Sequence, residues 1–169
     1  MNDAPDAKTA AMTLSDGDLE RYARHVIIPG VGVSGQARLL RARVAVAGHG
    51  SSAAICTRYL ERCGVTIVRE AAPPPDCYTA VGIDEIDETL LHLWGETRRP
   101  LVWVALRAGR LLRGYEPAFD GVRPMARRRR EIPRDLAAET AAACDAANRV
   151  LSALLGWEQR LETTELLFD

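Results

Sequence analysis

The sequence predicts an α/β fold in which helices flank a mostly parallel sheet, with a helical segment in front of it. A short apolar run, Val44–Ala47, ends at a glycine and is followed by a helical pattern. Two further apolar runs, Tyr78–Ile83 and Leu101–Leu106, also have a helical pattern between them. Strands that alternate with helices are typical of parallel sheets, because two parallel strands need a long crossover connection.

The helical segment is predicted to begin at Ser15, after a disordered stretch over residues 1–13. Ser15 is a favourable N-cap, and Asp18 three positions later supplies the acidic residue of a capping box. Apolar residues then recur at helical spacing over 19–26. A different face carries basic side chains: Arg21, Arg24 and His25. Composition alone makes these residues typical of a solvated helix end, where positive charge is favoured.

The segment Arg43–Glu70 is central to the prediction, since it indicates a strand, a glycine turn, a helix and a second strand. The turn has the spacing G-x-G-x-x-A and is typical of a Rossmann-like domain, in which the helix N-terminus offers N–H groups to a phosphate. Glu70 lies 22 residues after the first glycine, about where such folds place the acid that binds a ribose. The predicted nucleotide-binding residues here are Gly48, Gly50, Ser51, Ala53 and Glu70.

The second half of the chain is expected to complete the same sheet. Asp84 can cap a helix, and the strand Leu101–Leu106 is followed by a turn and by Leu111, which predicts a hairpin. The alanine-rich pattern over 135–155 predicts a long last helix that ends at Gly156. The predicted parts are a disordered N-terminus (1–13), one compact α/β domain (14–156) and a tail (157–169).

Composition argues against several classes of protein. The 169 residues are 47% hydrophobic and 27% charged, as is usual for a soluble globular protein. A net charge of −1 argues against a general nucleic-acid binder. No apolar run is long enough for a membrane span, and the N-terminus lacks the apolar core of a signal peptide, so we expect a cytoplasmic protein. The four cysteines form no C-x-x-C pair and are predicted to be reduced thiols.

The opening segment resembles that of a known family more specifically than the glycine turn does. The matching residues are Leu14-Ser15-Asp16, the run Arg21–Gly30, Gly32, Gly35-Gln36, Leu39-Leu40 and Arg43-Val44. They are similar to the start of the ThiF/MoeB/HesA family, the bacterial relatives of ubiquitin-activating enzymes, and the resemblance runs from about Leu14 to Val68. It implies a THIF-type nucleotide-binding α/β domain that dimerises, with itself or with a complete family member.

The resemblance also implies an activity. Members of that family use ATP and magnesium to adenylate the C-terminal glycine of a ubiquitin-like sulfur carrier or of a peptide. Arg24 matches the arginine that reaches across the family's dimer to the ATP of the partner. Asp84 matches the aspartate that binds magnesium, but it fits a helix N-cap equally well, and both interpretations remain open.

The sequence departs from the family pattern after Glu70. Three prolines, Pro73–Pro75, stand where the family has a segment that contacts the triphosphate, and no arginine, glutamine or lysine replaces it. In the region that resembles the family's zinc motif, Met125 and Arg128 occupy the positions of the first two cysteines. Neither side chain replaces a thiolate, so we predict no zinc. The run Arg127–Arg130 fits a solvated loop or a docking patch for an acidic partner.

Three functional hypotheses follow. The first is a degenerate pseudoenzyme that serves as a non-catalytic dimer partner or as a subunit that binds a peptide or carrier. The second is a minimal ATP-dependent adenylyltransferase that uses Glu70, Asp84 and the Arg24 of a partner chain. The third is an NAD(P)-binding oxidoreductase, which the glycine turn permits. A catalytic Tyr-Lys pair is not available for it, because Lys8 is the only lysine.

Overall fold

The computed structural model describes residues 14–48, 50–68, 73–81, 96–107, 110–118, 136–157 and 164–167. The helices in these residues are α1 (Asp16–Arg21), α2 (Ala23–Val26), α3 (Gly32–Arg41), α4 (Gly50–Arg62) and α5 (Leu136–Leu155). The strands are β1 (Arg43–Ala47), β2 (Thr66–Val68), β3 (Cys77–Val81), β4 (Leu101–Arg107), β5 (Arg110–Glu116) and β6 (Thr164–Leu167).

The six strands form one sheet in the order β2-β1-β3-β4-β5-β6. β1 pairs in parallel with β2 and β3, and β3 pairs in parallel with β4, whereas β5 is antiparallel to both β4 and β6. The predicted α/β fold with a mostly parallel sheet is confirmed, and β4 and β5 form the predicted hairpin. The stretch 157–169, which the sequence sets apart as a tail, contributes β6 to the edge of the sheet.

Helices α4 and α5 pack together over one face of the sheet, because α5 presents small side chains to it. Four alanines of α5 are fully buried: Ala142, Ala143, Ala146 and Ala147. They join Leu60 of α4 and the strand residues Val44 and Val104 in the main apolar core. This packing fixes α4 relative to β1 and so determines where its N-terminus lies.

The opening segment differs from the single helix that the sequence predicts. The capping box between Ser15 and Asp18 is present, but α1 ends at Arg21, and Tyr22 (φ −108°, ψ 18°) separates it from the four-residue α2. The break follows from tertiary packing. The Tyr22 side chain is buried, and its hydroxyl lies 3.0 Å from the position that a Cβ on Gly64 would take. Contact with the loop after α4 outweighs continuation of the helix at this residue.

The end of α5 docks on the opening segment. Arg38 Nη1 in α3 donates a 3.1 Å hydrogen bond to the carbonyl of Leu155, across a sequence separation of 117 residues. The Trp157 indole lies against Gly30, where a Cβ would come within 3.1 Å of the ring. Helix α3 and the loop before it are therefore tied to the end of α5.

The four cysteines are unpaired thiols, and three of them are buried: Cys56, Cys63 and Cys77. Burial raises the pKa of the Cys56 thiol from 9.0 to about 12, and the same cause, opposed by a hydrogen bond from the Val102 backbone, raises the pKa of Cys77 to about 12. Their folded-state thiols therefore stay protonated in a pH range in which the unfolded chain ionises.

We expect the free energy of unfolding to fall as the pH rises from 9 towards 12, because only the unfolded chain loses these protons in that range. The slope is about 1.4 kcal/mol per pH unit for each thiol, and the full contribution is present below pH 9. Urea unfolding at pH 8, 9.5 and 10.5 measures it. The Cys56→Ala/Cys77→Ala variant should show a flatter pH dependence, and equal slopes for the two proteins would contradict the prediction.

Some predicted features lie outside the described residues: residues 1–13, Glu70, Asp84 with the helix it was expected to cap, Met125, Arg128 and the Arg127–Arg130 run. Among the residues that are described, no helix has both the length and the apolar character needed to cross a membrane. The same residues contain no group of three or more His, Cys, Asp or Glu side chains suited to a metal ion.

Candidate functional site

The glycine turn connects the end of β1 to the start of α4, and Gly48 is enclosed on two sides. Its backbone has φ +145°. A Cβ at this position would collide with the carbonyl oxygen of Val81, the last residue of β3, and would lie 3.3 Å from the Cβ of Ala53. Gly48 therefore lets the chain pass between the end of β3 and the first turn of α4. Ala53 takes the third small position of the spacing and packs against the turn.

Gly50, the first residue of α4, is not enclosed as Gly48 is. Its φ is +70°, its backbone is exposed, and a Cβ there would find no atom within 4 Å. Ser51 is half-buried and Ser52 is buried directly behind it. The first N–H groups of a helix have no partner within the helix, and the first turn of α4 contains no acidic residue. Free amides of this kind, together with the positive end of the helix dipole, are suited to an anion.

The strand order places this turn at the switch point of the sheet. From β1 the chain crosses to β2 on one side, and β3 then returns on the other side of β1. In open α/β sheets, ligands bind in the crevice beyond the carboxyl ends of two such strands. Gly48 follows the carboxyl end of β1 and touches the end of β3, so the glycine turn lies at this crevice.

Arg24 lies far from this turn in the same chain. It is exposed on α2, next to His25, which is hydrogen-bonded to Gln36. Gln36 in turn donates to the carbonyl of Cys63, at the carboxyl end of α4. Since α4 has 13 residues, its two ends are roughly 20 Å apart at 1.5 Å per residue. An arginine side chain is too short to bridge that distance within one chain.

The structure thus brings together four of the predicted site residues, Gly48, Gly50, Ser51 and Ala53, and separates Arg24 from them. Glu70 and Asp84 lie outside the described residues. Val81, whose carbonyl oxygen limits the turn, is not among the predicted site residues. No sequence signal indicates this contact, because it depends on β3, rather than β2, lying on that side of β1.

A cluster of three charged side chains lies between β5 and α5. Asp145 accepts hydrogen bonds from Arg113 Nη1 at 2.8 Å and from Arg149 Nε at 3.1 Å. Burial lowers the pKa of the Arg149 guanidinium, and Arg113 adds to that effect, whereas Asp145 opposes it. One carboxylate therefore holds two guanidinium groups that would otherwise repel each other inside the fold.

Comparison with known sequences finds similarity over part of the chain. It is 49% identical over 55 residues to the probable adenylyltransferase/sulfurtransferase MoeZ of Mycobacterium tuberculosis, which covers 32% of this chain and 14% of MoeZ. It is 44% identical over 54 residues to the SAMP-activating enzyme E1 of Haloferax volcanii, which covers 32% of this chain and 20% of that enzyme. The matches therefore span a fifth or less of these two relatives. No protein-family model matches the chain.

Comparison with solved structures concerns the whole fold. The structure superposes on that of PaaA with a TM-score of 0.64 over 98% of this chain and 78% of PaaA, at 12% identity. For Escherichia coli MccB with succinimide the TM-score is 0.59 over 88% of this chain and 71% of MccB, at 10% identity. At such identities the likeness shows the fold alone. In its partial sequence matches and in its fold, the protein is similar to ThiF/MoeB-like, ubiquitin-activating-enzyme-like proteins.

Proposed function

We propose that this protein is an ATP-dependent adenylyltransferase that activates the C-terminal carboxylate of a ubiquitin-like carrier or of a peptide. The observation that carries the proposal is the geometry of the glycine turn. Gly48 is enclosed by β3 and α4, whereas a Cβ on Gly50, the first residue of α4, would meet no atom within 4 Å. The names of the sequence relatives, an adenylyltransferase/sulfurtransferase and an activating enzyme, support the same class of reaction.

The chemistry uses the backbone of this chain to hold phosphate. A carboxylate oxygen of the substrate attacks the α-phosphorus of ATP, the bond to the bridging oxygen breaks, and pyrophosphate leaves with the electron pair. We propose that the N–H groups of Gly50, Ser51 and Ser52 hold the phosphates through hydrogen bonds and the helix dipole. Magnesium would neutralise part of the triphosphate charge, and Glu70 and Asp84 are the acidic residues that we propose for ribose and metal.

The positive charge that this site needs is proposed to come from a second chain. Phosphoryl transfer depends on positioned cations, and α2, which carries Arg24, is linked to the end of α4 opposite the glycine turn, along a helix about 20 Å long. Apolar side chains next to Arg24 are exposed, with Ile27 at 79% and Ile28 at 46%. We propose that these residues bury in a dimer that presents Arg24 to the turn of the partner.

Gly50→Asp is expected to abolish binding of a non-hydrolysable ATP analogue with magnesium, while Gly50→Asn weakens it less than about tenfold. Both side chains tolerate a positive φ and have nearly the same shape, so only the added negative charge separates them. Calorimetric titration measures the affinity, and urea unfolding checks that the two variants are equally stable. Equal affinities for the two variants would contradict phosphate binding at this turn.

The reaction itself is tested by ATP–pyrophosphate exchange with synthetic peptides that end in Gly-Gly. Exchange that requires the peptide supports adenylation. A protein that does not bind the ATP analogue at millimolar concentration would overturn the proposal. Binding of NAD in its place would support the oxidoreductase hypothesis.

A second candidate function is a non-catalytic partner subunit. The observation that favours it is the three-proline segment after Glu70, which has no arginine, glutamine or lysine in place of the residues expected on the triphosphate. This candidate predicts that the protein associates with a carrier or a peptide without supporting exchange. Exchange and analogue binding, measured on one preparation, separate the two functions.

A further inference from the structure

Gln36 is a polar side chain in a place where the sequence pattern suggests an apolar one. It lies on α3 among buried neighbours, including Ala37 and Leu39, and none of its surface is exposed. A buried amide is costly unless its donors and acceptor are paired. Gln36 meets this condition with two partners from different parts of the fold, and that pairing is the starting point of the inference.

The two partners fix the orientation of the amide. Gln36 Nε2 donates to the carbonyl oxygen of Cys63 at 2.9 Å, at the end of α4. The Oε1 atom therefore faces His25 Nδ1, which lies 3.1 Å away. Because Oε1 only accepts hydrogen bonds, His25 must carry a proton on Nδ1. The result is a directed series of hydrogen bonds from His25 through Gln36 to Cys63, which we call the relay.

The relay anchors helix α2, which has few stabilising interactions of its own. α2 has four residues, its N-cap Tyr22 provides no side-chain hydrogen bond, and Arg24 beside His25 is exposed. Such a short helix has little stability of its own, so its position depends on contacts to the rest of the fold. The buried Tyr22 ring and the half-buried His25 ring provide those contacts, and their centroids lie 5.6 Å apart.

We propose that His25 and Gln36 are positioning residues that hold Arg24 in the orientation in which it serves a partner chain. The inference rests on the proposed function, because the relay would act in the chain of the proposed dimer that donates its arginine. Through Cys63 the relay attaches α2 to α4, the same helix whose other end forms the glycine turn. Within one chain, the separation between the arginine that it donates and the turn with which it accepts is thereby set by α4.

The hydrogen bonds are tested first, without any activity. Nitrogen-15 NMR of the histidine rings is expected to show His25 protonated on Nδ1, and Gln36→Met is expected to abolish the signature of that hydrogen bond. A neutral His25 with its proton on Nε2 alone would overturn the relay, whether or not the protein binds ATP.

The positioning role is tested by mixing two variants and counting tight sites for the ATP analogue by calorimetry. Arg24→Ala keeps the turn and loses the arginine, and Gly50→Asp does the reverse. Random dimers should regain roughly a quarter of the tight sites, since half are mixed and each has one complete site. A mixture without tight sites would overturn donation in trans, which belongs to the proposed function.

His25→Leu is then placed in one variant of the mixture at a time. In the Gly50→Asp chain, which donates the arginine, we expect the regained sites to fall at least tenfold in affinity. In the Arg24→Ala chain we expect less than a twofold change. His25→Asn in its place should restore the affinity, because the asparagine amide can donate from the position of Nδ1. Equal effects in both chains would reduce the relay to a structural role and overturn the inference.

Discussion

Replacing Gly48 with alanine is expected to destabilise the fold by about 3 kcal/mol or more, one of the two largest effects of a single substitution that we predict. Two costs add at this position. The backbone has φ +145°, which L-residues rarely adopt, and the new Cβ collides with the carbonyl of Val81. A backbone atom cannot rotate away as a side chain can, so either β3 or the start of α4 must move.

Gly50→Ala is the matched control, because it changes the same residue type two positions later. Its φ is +70° and its Cβ would meet no atom within 4 Å, so only the conformational cost of about 1 kcal/mol remains. Urea unfolding of both variants measures the difference. We expect Gly50→Ala to reduce the free energy of binding of the ATP analogue by more than it reduces the free energy of unfolding. Equal stability of the two variants would show that Val81 does not constrain the turn.

The second large effect is expected for Asp145→Asn, at about 2–4 kcal/mol. The carboxylate accepts from both Arg113 and Arg149, whose side chains are 21% and 7% exposed. In the Asp145→Asn variant, the guanidinium groups of Arg113 and Arg149 remain close together, and residue 145 no longer supplies a negative charge to compensate them. The estimate lies partly below the usual cost of breaking a fully buried pair, because Arg113 and Asp145 retain some contact with water.

Two comparisons isolate this effect. Glu139→Gln removes one carboxylate from the first turn of the same helix and should cost less than about 1 kcal/mol. Adding Arg113→Met to Asp145→Asn should recover part of the lost stability, since it removes one of the two repelling charges. Thermal unfolding at low and high salt completes the test, because salt should narrow the gap between wild type and Asp145→Asn. A loss below that of Glu139→Gln would contradict the prediction.

Much of the fold was predictable because it rests on local patterns. The apolar run of β1, the glycine that ends it and the capping box at Ser15 each depend on residues close in sequence. The break at Tyr22 was not predictable, because its cause is a contact with Gly64, 42 residues away. β6 was likewise placed in a tail, since four residues in a polar stretch carry too weak a pattern to indicate a strand.

The candidate site divides in the same way. The spacing of Gly48, Gly50 and Ala53 indicates a phosphate-type turn from sequence alone. That spacing does not show how the two glycines differ. A Cβ on Gly48 would collide with β3, whereas a Cβ on Gly50 would meet no atom within 4 Å. Gln36 belongs to the matching motif of the opening segment, but its burial on α3 is visible only in the packed fold.

The bond from Arg38 to Leu155 has a consequence for the order in which the protein forms. The contact joins residues 117 positions apart, and the contact of Trp157 with Gly30 spans still more of the chain. Strands β1–β5 lie between the opening segment and these two partners in the sequence. Closing such long loops is slow. Docking of the opening segment on the end of α5 is therefore expected to be a late step in folding.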